Sequence, residues 1–144
     1  MGLRKLYLLD TNIISELVKP QGSEKVKIEM DQKSGFCMIG APVWYEFLKG
    51  IEIMPDGKNK ERLDLYAHDY VQRIFPILPY DEHAASLQAH IYAKMKENGT
   101  PVPIVDAQIA AIALANNLIL VTRNVKDFEP ITKEFSLCVD NWFE

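Results

Sequence analysis

The chain has 144 residues, 48% of them apolar and 25% charged, the size and make-up of one folded domain spanning 1–144 around a single core. Its 20 acidic and 16 basic residues leave a net charge of −4, which disfavours binding a polyanion through bulk charge alone. No apolar run approaches the roughly 20 residues of a membrane helix. Behind the basic start Met1–Lys5, the Leu6–Leu9 run is shorter than a secretory core of about 7–15 residues, so the expectation is a soluble cytoplasmic protein with no membrane association.

Leu6-Tyr7-Leu8-Leu9 reads as a buried strand that stops at Asp10-Thr11-Asn12, residues that cap helices or start turns. Ile13, Ile14, Leu17 and Val18 recur at helical spacing up to Pro20, and a second helix runs from Ser23 to about Ser34-Gly35. Phe36–Ile39 is a second strand. Pro42 suits a first helical turn, where a missing N–H loses nothing, and Val43, Trp44, Phe47, Leu48 and Ile51 give that helix its apolar side. Residues 58–74 read as one helix from the spacing of Leu63, Tyr66, Tyr70 and Ile74.

Pro76 and Pro79 bracket a short Ile77-Leu78 strand. Asp81 caps a long helix striped by Ala84, Leu87, Ile91 and Met95, and Asn98-Gly99 closes it as a left-handed C-cap would. A helix over 104–115 follows Pro101 and Pro103, then a strand at Leu118–Val121, a polar loop from Thr122 that contains Asp127, and a last strand over 136–139. Unbroken apolar strands alternating with helices suit a parallel sheet covered on both faces. The expected fold is α/β, a three-layer α/β/α sandwich on a central, mostly parallel sheet of about five strands.

Cys37 and Cys138 are too few for a disulfide framework and read as buried free thiols, and His68, His83 and His90 show no metal-type spacing with either. Trp44 and Tyr45 read as core residues, Trp142 and Phe143 as candidates for a partner surface.

Ligands of open parallel sheets bind beyond the carboxyl ends of the strands. Asp10 ends the first strand, and Asp106 opens a helix that is apolar nearly all round, where an ionised carboxylate is costly unless paired or metal-bound. Asp106 also suits the positive end of its helix, and Asp10 is equally readable as a plain cap. Glu46 borders the stripe of Val43, Phe47 and Ile51, and Gly50 leaves space beside it.

Taken together, Leu8–Ser15, Val43–Gly50, Asp106–Ala111 and Leu120–Phe128 resemble, in order and spacing, the four motifs of PIN domains, over nearly the whole chain. The short single-domain length is similar to the VapC-type toxins of toxin–antitoxin pairs. The resemblance implies a Mg²⁺- or Mn²⁺-dependent endoribonuclease, a homodimer, an RNA substrate and a small VapB-like antitoxin that blocks the site. It implies Asp10, Glu46 and Asp106 as metal-site acids, with Thr122 and Asn124 in the same catalytic pocket. Many relatives carry Asp where this chain has Asn124, so the fourth position falls either to Asn124 as a neutral ligand or to Asp127 as a metal ligand. Alternatives are a non-catalytic RNA- or protein-binding module of this fold and a DNA-directed nuclease.

Hard divalent cations take oxygen ligands, which suits Asp and Glu over His or Cys. Filling an acidic cleft with cations also reverses the local repulsion of a phosphate. Lys49, Arg123 and Lys126, beside the motif residues, are the candidate RNA contacts.

Overall fold

A computed structural model describes residues 5–144; the basic start Met1–Arg4 lies outside the described residues. Five strands, β1 (Tyr7–Leu9), β2 (Cys37–Gly40), β3 (Ile77–Leu78), β4 (Ile119–Val121) and β5 (Val139–Asp140), form one sheet in the order β3-β2-β1-β4-β5. All four pairings are parallel, with Tyr7 opposite both Cys37 and Ile119, and Leu120 opposite Val139.

Between the strands run α1 (Thr11–Val18), α2 (Glu24–Gln32), α3 (Ala41–Glu52), α4 (Lys58–Leu65), α5 (Gln72–Ile74), α6 (Glu82–Asn98), α7 (Ile104–Ala115) and α8 (Val125–Thr132). The chain moves outward from β1 to β3, then crosses back to β4 and β5. By the right-handed rule for parallel crossovers, the outward and return connections lie on opposite faces, α1–α5 on one and α6–α8 on the other, in a three-layer sandwich.

Strand interiors and α7 supply the centre of the core. Leu8, Leu9, Ile39, Leu120 and Val121 are fully buried, as are Ala110, Ala111, Ile112 and Ala113 of α7. The alanines let α7 lie close to the sheet, and Ile112 reaches across it: a Cβ at Gly40 would stand 3.1 Å from Ile112 Cδ1. Helix ends follow local chemistry. Asp81 Oδ1 accepts from Ala84 N at 2.9 Å, and Gly99 closes α6 at φ 68°, where a side chain would be strained.

Several expectations are corrected. Residues 58–74 are not one α-helix: a π-helical turn, Tyr66–Val71, separates α4 from α5. The wider turn buries Ala67 and Val71 in place of the expected stripe, leaving Tyr70 and Ile74 exposed. It also lets Tyr66 Oη donate to the Ile14 carbonyl at 3.1 Å while its ring packs edge-on to Phe47. The loop expected around Asp127 is α8, whose pattern was hidden by Pro130 within a short polar stretch; only Phe128 and Ile131 face the core.

The last strand is Val139–Asp140 rather than 136–139, because its register is fixed by pairing with Leu120 and Val121. Cys37 is buried but Cys138 is exposed, lying just before that short edge strand. Tyr45 is on the solvent side of α3, whereas Trp142 is fully buried with its ring edge-on to Tyr7 at 5.7 Å. Trp142 is therefore core, not partner surface.

Truncating Ile112 to Ala should leave a cavity between α7 and β2 and cost about 2–5 kcal/mol, the usual range for a buried Ile. Urea denaturation is the check: the midpoint should drop with the slope unchanged, and an unmoved midpoint would contradict this packing.

Candidate active site

The sheet order reverses at β1, whose neighbours β2 and β4 are reached by connections running in opposite directions. Loops leaving the carboxyl ends of β1 and β4 therefore diverge and leave a crevice between them. Asp10, the first residue past β1, and Thr122, the first past β4, stand at that point. The backbone fixes both: Asp10 N donates to the Val121 carbonyl at 2.9 Å, and Thr122 N to the Asp140 carbonyl at 3.0 Å.

The Asp10 carboxylate is only 7% exposed and is held from three sides. Oδ1 accepts from Thr11 N at 2.7 Å. Oδ2 accepts from Thr122 Oγ1 at 2.8 Å and from Asn12 Nδ2 at 3.4 Å. The Thr122 hydroxyl, itself wholly buried, uses its full capacity, for it also accepts from Asn124 N at 3.0 Å and Asn12 Nδ2 at 3.3 Å. Asn12 Oδ1 accepts from Arg123 N at 3.1 Å, which ties the post-β4 turn to the start of α1.

Glu46 arrives from the middle of α3, and Thr11 Oγ1 donates to its Oε1 at 3.1 Å. Asp106 sits in the first turn of α7 with no side-chain cap competing for that helix end. Asp10, Glu46 and Asp106, contributed by three separate segments, thus line one open cleft together with Thr11, Asn12, Arg123 and Asn124.

The acids feel one another. Burial and then the charges of Asp10, Asp127 and Glu46 push the Asp106 carboxyl up to about 6. Burial also raises Asp10, opposed by its bonds from Thr122, Thr11 N and Asn12, with the Asp127 charge adding to the rise. This is an oxygen-only donor set whose members repel each other, an arrangement a hard divalent cation would relieve. Among the described residues no three carboxylate, imidazole or thiol groups converge tightly enough to cage an ion unaided. An open cleft with a few oxygen donors fits a cation that keeps several waters rather than an enclosed structural ion.

The other residues singled out by sequence divide. Arg123 and Asn124 line the cleft. Asp127, exposed in the first turn of α8, does not line it, although its charge reaches both Asp10 and Asp106. Lys126 is exposed on the same helix, and Lys49 lies on the outer side of α3 with its ammonium 5.2 Å from the Tyr45 ring centre. Neither lines the cleft.

Sequence reasoning missed Ser15, Glu16 and Lys19, which do line it. Their signal was available: Asn12, Ser15/Glu16 and Lys19 recur every three to four residues, a polar stripe along α1 opposite Ile13, Ile14 and Leu17.

A family model described as the PIN domain matches residues 7–133. The chain is 32% identical to Toxin FitB of Neisseria gonorrhoeae, covering 85% of this chain and 91% of that one. It is 30% identical to VapC ribonuclease Y4jK of Sinorhizobium fredii, over 86% of this chain and 91% of that one. Its fold superposes on the crystal structure of FitAcB from Neisseria gonorrhoeae with a TM-score of 0.86 at 29% identity, covering 96% and 99% of the two chains.

Asp106 should make metal-free stability pH-dependent. Its carboxyl ordinarily titrates at 3.8 and here at about 6, so between those values the folded protein keeps a proton that the unfolded chain has released. That contribution is fully present below 3.8 and lost as pH rises through about 6. Denaturation midpoints measured across this window should fall more steeply for the wild type than for Asp106→Asn; parallel curves would refute the shift.

Proposed function

The chain belongs to the PIN-domain family, and from that footing we propose that it is a metal-dependent endoribonuclease serving as the toxin of a toxin–antitoxin pair. One observation carries the reading: Asp10, Glu46 and Asp106, distant in sequence, line a single cleft at the reversal point of the sheet. The toxin and ribonuclease names of FitB and Y4jK give the class of activity.

Mg²⁺ or Mn²⁺ is the cofactor the donor set suits, and when bound it supplies Lewis acidity and an acidified water for phosphodiester hydrolysis. Asp10 and Asp106 would hold it. Asp10 is preset for this: two hydrogen bonds to Oδ2 and one to Oδ1 fix its plane before any ligand arrives. Glu46, steered by Thr11 Oγ1, is placed to accept a proton from the attacking water or to ligate a second ion. Thr122 acts through Asp10 as a positioning residue.

Asn124 takes the fourth position as a neutral water-holder, supported by its place in the cleft lining. Asp127 contributes field rather than a ligand atom. Arg123 is a phosphate contact of the cleft itself, leaving Lys49 and Lys126 to touch RNA only along a longer path.

The partners follow from the same reading: an RNA substrate, a small VapB-like antitoxin that occludes the cleft, and a second copy of the chain in a homodimer. The 1–144 unit acts as one nuclease domain. No helix among the described residues is long and apolar enough to cross a membrane. The RNA targets of this reading put the protein in the cytoplasm.

Purified protein stripped of metal should leave RNA intact and cut it once Mg²⁺ or Mn²⁺ is restored. Asp10→Asn and Asp106→Asn should each lose more than about 100-fold in rate, and Thr122→Val about 10–100-fold, as for a residue that orients a ligand. Gel analysis of labelled RNA reads all three, and cleavage equal to wild type in the Asn variants would sink the assignment.

A further inference from the structure

Glu16 is unexpected where it stands: a buried carboxylate lining a cleft that, on the nuclease reading, admits a polyanion. Both its oxygens are engaged. Oε2 accepts from Ser23 N at 2.7 Å, and Oε1 accepts from Lys19 Nζ at 3.1 Å. The Ser23 bond first, then the Lys19 bond, with the charges of Lys19 and Arg123 adding, hold its carboxyl below the usual range, so it stays an anion. A carboxylate with both oxygens committed to backbone and ammonium donors is a strut, not a free ligand.

The turn joining α1 to α2 is fitted around that strut. Lys19 N donates to the Glu16 carbonyl and Gly22 N to the Lys19 carbonyl, both at 3.2 Å. A Cβ at Gly22 would stand 2.5 Å from the Glu16 carbonyl oxygen and 3.3 Å from Oε2, so only glycine lets the turn close. Lys19 is thereby anchored at the cleft, yet its side chain remains 58% exposed. Its ammonium has three donors and Glu16 takes one; among the described residues no other acceptor takes the rest.

From the turn after β4 comes the other cation of the cleft, Arg123. Its guanidinium lies 4.6 Å from the Phe143 ring centre, and its backbone is tied to Asn12. The cleft thus carries, beside its carboxylates, two cations suited to phosphate oxygens.

Resting on that nuclease reading, we propose that Lys19 is a substrate-binding residue that grips an RNA phosphate flanking the scissile bond, with Glu16 as the positioning residue that holds it there. Arg123 grips beside it. If Glu16 acted only by its charge, it would repel RNA, so the two roles predict opposite signs for its neutralisation.

The test is binding of a mixed-sequence single-stranded RNA oligonucleotide, in constant Mg²⁺ and varied KCl, by protein carrying Asp106→Asn to prevent cutting. Lys19→Ala, a surface change that spares the fold, should weaken binding severalfold and reduce the slope of log affinity on log salt by about 0.7, one single-strand phosphate contact. Lys19→Arg should restore most of it. Glu16→Gln keeps an acceptor for Ser23 N, and binding should weaken rather than tighten. Unchanged affinity and slope in Lys19→Ala, or tighter binding in Glu16→Gln, overturns the proposal alone, since metal-dependent cleavage by the wild type still tests the nuclease reading. Absence of RNA binding at every salt concentration, with no cleavage by the wild type, overturns both.

Discussion

The hydrogen bond from the Thr122 hydroxyl to the Asp10 carboxylate joins the carboxyl ends of β1 and β4, and the rest of the site is arranged around it. A bond of this kind to an ionised group is worth about 1.5–3 kcal/mol, and an unpaired carboxylate at that depth would cost more than it returns. Asp10 is therefore tolerable in the core because Thr11 N and Asn12 bond it locally and because β1 and β4 are neighbours, which brings Thr122 to it. The same bond sets the orientation of the carboxylate, so the feature that makes the residue affordable also makes it useful.

Around that anchor the protein accepts electrostatic stress. Asp106, pressed by burial and by three other carboxylates, resists ionising, and no nearby lysine or arginine is among the causes that set its charge state. A structure built for stability alone would pair or remove these acids. Keeping them close and oxygen-only leaves a site whose repulsion would fall if a cation entered, which would couple the stability of the fold to occupancy of the cleft.

The overall charge of −4 gives a misleading picture of how such a protein meets RNA. Charge is sorted locally: acids converge at the switch point, while Lys19 and Arg123 are held at the same cleft by Glu16, Asn12 and Phe143. On the proposed reading, recognition depends on a few cations and on ions at the acids, not on a basic face. This also separates Arg123 from Lys49 and Lys126, which are near the motifs in sequence but outside the cleft in space.

Much of this was legible in the chain itself. Strand runs at Leu6–Leu9, Phe36–Ile39 and Leu118–Val121, the Asp81 and Gly99 caps, and the all-apolar helix around Asp106 are local patterns, set by backbone propensity and burial period, and each appears within a residue or two of its place. Patterns that depend on distant partners did not read through. The π-helical turn comes with Tyr66 packed on Ile14 and Phe47, α8 is set against the core through Phe128 and Ile131, and β5 takes its register from β4. Asp10 and Asp106 could be named from sequence because an acid at a strand end or in an apolar helix is costly wherever it occurs. The polar stripe of α1 groups Glu16 with Asn12, Ser15 and Lys19 in the sequence, but that this stripe faces the cleft while Lys126 and Asp127 do not was decided only by tertiary structure, since charge on a surface helix has no cost that sequence reveals until the fold determines what it faces.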